Sequence, residues 1–396
     1  MGKPIDPIAA YLKQVPLFQE LTEDECMDIV RAFSMKSVKA GQALCLENEP
    51  GDAFFVVESG ELRVHKKTAQ GSDEEIARIG PRGVVGEMAI LDGGPRSASV
   101  TAESACTVYR VERGAFNVLR ANLRPAAFKV IRYLARVQCE HLRDLNRKIE
   151  AFFADPKASL AQMKERQREI QASLRERLAR PVVPSTIPPP ALGPPPSKVK
   201  AIVAPYAGRS EISRFLTGVP LLRGIPSEQL GPLVGILAEK SIASDALICK
   251  EGGVGDSFFI IGSGAVEVEK EIAGGTARKL ARLGPGAIVG EVSLIDGKRR
   301  SASCRAVAPS VVLRCGRTDF DDLFRSSSPL AFRFVERVAI DLDLRLRETN
   351  TRFMEIFSRP RETIDDLQQR LVALQGDIEG GPGETEKFLA LVGYRG

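Results

Sequence analysis

Glutamate and arginine recur nine residues apart at two places in this chain, Glu87 with Arg96 and Glu291 with Arg300. The first pair sits in Gly86-Glu87-Met88-Ala89-Ile90-Leu91 followed by Asp92-Gly93-Gly94-Pro95-Arg96-Ser97-Ala98-Ser99. The second sits in Gly290-Glu291-Val292-Ser293, closing on Arg300-Ser301-Ala302-Ser303. An arginine fork matches a phosphate, and the hydroxyl beside it, on Ser97 or Ser301, adds a hydrogen bond. A short helical turn opening at the glycine offers free N–H groups to an anion. The glutamate repels an anion, so it accepts from a sugar hydroxyl or holds the arginine before ligand arrives. Gly86 permits close backbone approach. The grouping suits a ligand with one anionic phosphate and one ribose hydroxyl. It requires neither a catalytic base nor a metal, and no P-loop, HExxH motif, kinase signature or nucleophile elbow is present. The chain is read as a binding protein without enzymatic activity and without a cofactor.

The elements around these peptides repeat as well. Val15-Pro16-Leu17 returns as Val219-Pro220-Leu221, and Asp52-Ala53-Phe54-Phe55 as Asp256-Ser257-Phe258-Phe259. The offset is a constant 204 residues (290 − 86, 300 − 96) and needs no gap. Repeats this large are domains and not solenoid units. Each copy reads helix, strands, helix. Thr22 and Glu25 form a capping-box pattern opening a helix over Glu23–Phe33. Strand signals follow at Phe54–Val57, Leu62–Val64 and Thr107–Val111, punctuated by glycines. Pro125 opens a long amphipathic helix to about Phe153, and Pro329, after Ser328 as cap, opens its counterpart to about Phe353. The expected fold is mainly β with flanking helices: two jelly-roll-like β-rolls, each followed by a long helix. The domains are 1–153 and 210–353, separated by 154–209. That connector holds a charged helix over 157–180 and a Pro-rich, extended stretch over 181–198. Residues 354–396 form a C-terminal helix and tail.

Composition agrees with a globular protein: 43% hydrophobic and 27% charged residues. No run reaches the length of a membrane span, and the N-terminus does not read as a secretion signal, which places the protein in the cytoplasm. A net charge of +5 is too mild to argue for nucleic acid. Seven scattered cysteines read as reduced, mostly buried thiols. His65, on the polar side of an alternating strand, reads as solvated.

Both copies resemble cyclic-nucleotide-binding domains, the β-roll module of the catabolite activator protein family and of the regulatory subunit of cAMP-dependent protein kinase. The resemblance rests on Gly86, Glu87, Ala89, Pro95, Arg96, Ala98 and Ser99, and on Gly290, Glu291, Arg300, Ala302 and Ser303. It implies that Glu87 and Glu291 bind the ribose 2′-hydroxyl. It implies also that Arg96 and Arg300 bind the cyclic phosphate, helped by backbone N–H groups near Ala89 and Ser293. The second cassette departs at Ser293 in place of alanine, Arg299 in place of proline, and Cys304 where valine is usual. In the family, alanine after the arginine goes with cAMP and threonine with cGMP. Serine stands there in both copies, and the ligand is read as cAMP over cGMP. The implied activity is a sensor that regulates a separate protein effector by ligand-linked helix movement; a homo-oligomer is compatible with it. A cyclic-nucleotide-responsive transcription regulator and a scaffold that binds no ligand are the alternatives.

Overall fold

The computed structural model describes residues 7–67, 73–155, 209–223, 225–271, 277–357 and 364–379. The expected charged helix at 157–180 and the Pro-rich connector at 181–198 lie outside them. By internal contacts the described chain forms two units, one ending at Val137 and the other beginning at Gln138.

In the first unit, α1 (Pro7–Leu12) and α2 (Glu23–Val30) precede eight strands: β1 (Phe33–Val38), β2 (Ala43–Cys45), β3 (Ala53–Ser59), β4 (Leu62–Lys67), β5 (Asp73–Ile79), β6 (Val84–Val85), β7 (Ser99–Ala102) and β8 (Cys106–Glu112). A short α3 (Met88–Asp92) interrupts them between β6 and β7, and α4 (Arg113–Ala121) and α5 (Pro125–Ala154) follow. The strands form two antiparallel sheets, ordered β1-β8-β3-β6 and β2-β7-β4-β5. Their inner faces supply one core, in which Leu44, Phe55, Val57, Leu62, Val100 and Val108 meet. Strand β3 is buried on both faces because its neighbours differ. Phe55 points into the roll, while Phe54 meets Phe116 of α4 edge-on at 6.1 Å.

The capping box at Thr22 forms as read, with reciprocal bonds between Thr22 and Glu25. The helix, however, stops at Val30, short of the expected Phe33. Phe33 pairs with Val111 in the sheet and stacks on Tyr109 at 5.8 Å, so tertiary pairing overrides the helical pattern.

The second unit repeats the plan. Helices α6 (Arg209–Leu216) and α7 (Gly231–Ile236) lead into β9 (Leu237–Ile242), β10 (Leu247–Cys249), β11 (Ser257–Ser263), β12 (Val266–Glu271), β13 (Ala277–Leu283), β14 (Ile288–Val289), β15 (Ser303–Ala306) and β16 (Ser310–Gly316). Between β14 and β15 lies α8 (Glu291–Asp296); α9 (Arg317–Arg325), α10 (Pro329–Phe357) and α11 (Ile364–Glu379) follow. The sheets are β14-β11-β16-β9 and β10-β15-β12-β13, antiparallel throughout. Phe258 packs on Phe320 and Phe334 at 6.1 and 5.1 Å, as Phe54 does on Phe116. The second unit also takes in the end of α5, from Gln138 onward.

His65 departs from the expectation of a solvated side chain. It is buried, its Nε2 lies 3.0 Å from Thr101 Oγ1, and its Nδ1 lies 3.6 Å from Asp73. The irregular pairing between Val64 and His65 turns it inward, which strict alternation does not anticipate. Among the described residues no helix is long and apolar enough to cross a membrane, and no cluster of side chains suits a metal ion.

Candidate functional site

Each Glu–Arg peptide occupies the same place in its roll: a turn and short helix between the sixth and seventh strands. Gly86 and Gly290 have φ of +78° and +85°. A Cβ at either would also collide with the Nη1 of Arg96 or Arg300. Backbone conformation and the approach of the guanidinium therefore both demand glycine here.

The arginines are buried, at 4% and 5% exposure. Arg96 donates to the carbonyls of Ala53 (2.6 Å) and Gly86 (3.2 Å) and to Asp52 Oδ1 (3.1 Å). Arg300 donates to the Gly290 carbonyl (3.3 Å) and to Ser257 Oγ (3.2 Å), with Asp256 Oδ1 at 3.6 Å. Each guanidinium also lies over a core ring, Phe55 at 5.6 Å and Phe259 at 5.8 Å. Both keep one buried donor, Nε, with no acceptor among the described residues.

Asp52 and Asp256, which the sequence marks only as part of the repeat, join the site in the fold. Each is shared with a second arginine, Arg110 at 2.6 Å and Arg314 at 3.1 Å. Desolvation works against the charge on Asp52 and Asp256. Yet both are held below the usual carboxylate range, Asp52 by Arg110 and Arg96, Asp256 by Ser257, Arg314 and Arg300. In the first roll Glu112 adds a further carboxylate on Arg110; Gly316 stands at that position in the second, leaving two arginines to one aspartate.

Ser99 and Ser303 turn their hydroxyls back to accept from the Glu47 and Glu251 N–H groups, both at 2.9 Å. Ser97 faces the Met88 sulfur at 3.7 Å. The carbonyl of Ser301 accepts from buried Lys270 at 2.6 Å. Met88 and Ala89 lie in α3, and Val292 and Ser293 in α8.

The glutamates differ between the copies. Glu87 is half-buried just ahead of α3. Glu291 is buried and meets Arg345 of α10 at 3.2 Å; Arg345 also pairs with Asp341 at 2.5 Å. Burial pushes the carboxyls of Glu291 and Asp341 up, against the pull of Arg345. In the second roll, then, Arg345 takes Glu291, and Asp256 takes Arg300. The sequence carried one signal for this. Arg345 and Asp341 correspond to His141 and Val137 in the first copy, so the pair breaks the repeat.

Further contacts to the second cassette come from the end of α5. Arg143 makes a two-point pair with buried Asp296 (2.6 and 3.2 Å), and Glu140 meets Lys298 at 2.7 Å. A cavity of about 450 Å³ opens beside this cassette, lined by Arg300, Ser257, Phe259, Asp256, Arg314 and Cys249.

A family model described as "Cyclic nucleotide-binding domain" matches residues 35–122 and 239–327, windows that enclose both cassettes. Among curated proteins, the cAMP-dependent protein kinase regulatory subunit of Blastocladiella emersonii is 23% identical over 315 residues, covering 80% of this chain and 57% of that protein. The cGMP-dependent protein kinase egl-4 of Caenorhabditis elegans is 23% identical over 307 residues, covering 77% of this chain and 28% of that protein. The chain thus spans about half the length of the first relative and under a third of the second. Among solved structures, the regulatory domain of Toxoplasma gondii PKA with cAMP is 21% identical, with 81% of this chain and 92% of that one covered and a TM-score of 0.29.

Proposed function

We propose that this chain, which carries two cyclic nucleotide-binding domains, is a sensor that binds one cyclic nucleotide per roll and passes the event to a separate protein. Arg96 and Arg300 take the cyclic phosphate, and Glu87 and Glu291 accept from the ribose 2′-hydroxyl. The observation that carries the reading is the pair of buried arginines, each fixed by the carbonyl of its cassette glycine and lying over a core phenylalanine ring. A cyclic phosphate oxygen is an acceptor that the arginine fork can take, and in the second roll a singly charged anion suits two arginines sharing one aspartate.

A sensor needs a ligand that prefers one of two states. Arg345 supplies the means in the second roll. While α10 holds Glu291 through Arg345, the carboxylate has a partner already; a ribose hydroxyl at Glu291 competes with that ion pair and biases α10 away from the cassette. The end of α5, tied to Asp296 and Lys298, is the second element that ligand at this cassette disturbs. The kinase regulatory subunits among the relatives support a protein effector as the recipient of this movement.

For the base we favour cAMP, in keeping with those relatives. The serine hydroxyls at Ser97 and Ser301, and the cGMP-dependent relative, keep cGMP as the second reading. Titration calorimetry of the full chain with each nucleotide, repeated on Arg96→Ala and Arg300→Ala, tests both points. Two binding events, each lost with its own arginine, are expected. No heat and no thermal shift with either nucleotide would overturn the sensor reading.

A further inference from the structure

The second roll carries a pair of cysteines that the first lacks. Cys249 on β10 stands opposite Cys304 on β15 in the antiparallel register, where the first roll has Cys45 opposite Val100. The same irregularity precedes both pairs, so the two backbones correspond and only the side chain differs. Both sulfurs enter the core of the roll, with Cys304 buried at 5% and Cys249 half-buried against it. Directly opposed antiparallel residues have Cα atoms about 4.5–5.5 Å apart. That range lies inside the roughly 4.4–6.8 Å a disulfide spans. Cys249 also lines the cavity beside Arg300, which gives a small oxidant a way in.

We propose that Cys249 and Cys304 are a reversible oxidation site, closed to a disulfide by a peroxide-class oxidant, that locks the second cassette in place. The Cys249 thiolate attacks one peroxide oxygen, the O–O bond breaks, and hydroxide leaves to take the Cys304 proton as water. The Cys304 thiolate then attacks the Cys249 sulfenic sulfur. The S–O bond breaks, and the second hydroxide leaves as water with the proton first lost by Cys249. Two thiols are oxidised and one peroxide is reduced to two waters.

The chemistry favours this pair over Cys139 and Cys315. Hydrogen bonding from Cys304 holds Cys249 below the ordinary thiol range, with Arg300 assisting against desolvation. By contrast, burial pushes Cys315 up to about 12 and Cys139 well above its usual value. A thiol with more thiolate character reacts first. The bond would join β10 to β15 at one end of the run of hydrogen bonds that fixes Arg300. Gly252 N–H donates to the Arg300 carbonyl at 3.0 Å, Arg300 N–H donates to Gly253 at 2.9 Å, and Glu251 N–H donates to Ser303 Oγ at 2.9 Å.

The effect on ligand rests on the sensor reading, whereas the cross-link does not, and the experiment separates them. The full chain is treated with hydrogen peroxide, alkylated, digested and weighed, and in parallel its unfolding and its release of a fluorescent cAMP analogue are followed. A 249–304 linked peptide is expected, reversed by dithiothreitol. An unfolding midpoint of the second unit raised by about 5–15 °C is expected with it, together with release from the second site slowed at least threefold. Cys304→Val, which writes the first roll's residue into the second and so keeps the core filled, should abolish all three responses. Absence of the 249–304 link while other cysteines are oxidised, or a link that moves neither midpoint nor release, would overturn the proposal. If the second roll binds no analogue at all, the sensor reading of that roll fails, while the link and the midpoint still decide this one.

Discussion

Arg96 and Arg300 lie under the surface with their guanidinium groups already fixed, so the proposed ligand would meet a positioned fork and not a flexible chain. Removing a buried, hydrogen-bonded charge from a binding pair costs about 2–5 kcal/mol. Arg96→Ala and Arg300→Ala should therefore each weaken their own site by roughly 30-fold to a few thousand-fold, read as dissociation constants by calorimetry. Arg345 plays a different part. It pairs with both buried Glu291 and half-buried Asp341, so Arg345→Met strands the Glu291 carboxylate and should cost about 3–5 kcal/mol of stability in the second unit, measured by denaturant unfolding. His65 gives the first unit a pH dependence. Burial first, and Arg63 next, hold its imidazole below the ordinary histidine value, so the fold favours the neutral ring. The contribution is present above the unfolded value, about 6.5, and declines as pH falls through that value toward the lowered one in the fold. Unfolding midpoints of the wild type should fall more between pH 7.5 and 5.5 than those of His65→Gln; parallel curves would show that His65 does not titrate against the fold.

At the scale of the element, each cassette holds its arginine because a strand, a glycine turn and a short helix leave one carbonyl aimed at it. Gly290→Ala must accept a left-handed backbone, worth roughly 1–2 kcal/mol, and push its methyl into Arg300 Nη1. The second site should lose nucleotide while the first retains it, which the same calorimetry resolves. Elsewhere the elements follow ordinary packing. Phe258, locked between Phe320 and Phe334, should cost about 3–5 kcal/mol as Phe258→Ala. In the proposed sensor the helices beyond each roll carry the signal. The middle of α10 and the C-terminal half of α5 are held to the second cassette by charges, Arg345 on Glu291 and Arg143 on Asp296, which a polar ligand can disturb.

At the scale of the whole molecule, two units with separate cores should respond to ligand separately. Nucleotide at a hundredfold excess over its dissociation constant stabilises the unit that binds it by about 2.7 kcal/mol. In calorimetric scans Arg300→Ala should abolish this shift for the second unit alone; loss from both units at once would show that the sites do not act independently. The amino-acid sequence determined much of this by itself. The constant offset fixed two copies, alternating strands and glycines marked the rolls, and Gly86, Glu87, Arg96 and their counterparts were readable because local chemistry repeats at local spacing. Residues brought together from far along the chain were decided only by tertiary structure. Asp52 reaches Arg96 and Arg110, Arg345 reaches Glu291, and Cys249 faces Cys304 through pairings that no short-range pattern encodes. The inward turn of His65 and the early end of α2 belong to the same class. Periodicity says which face a residue occupies, but the register of neighbouring strands and the burial of the far side decide what that face meets.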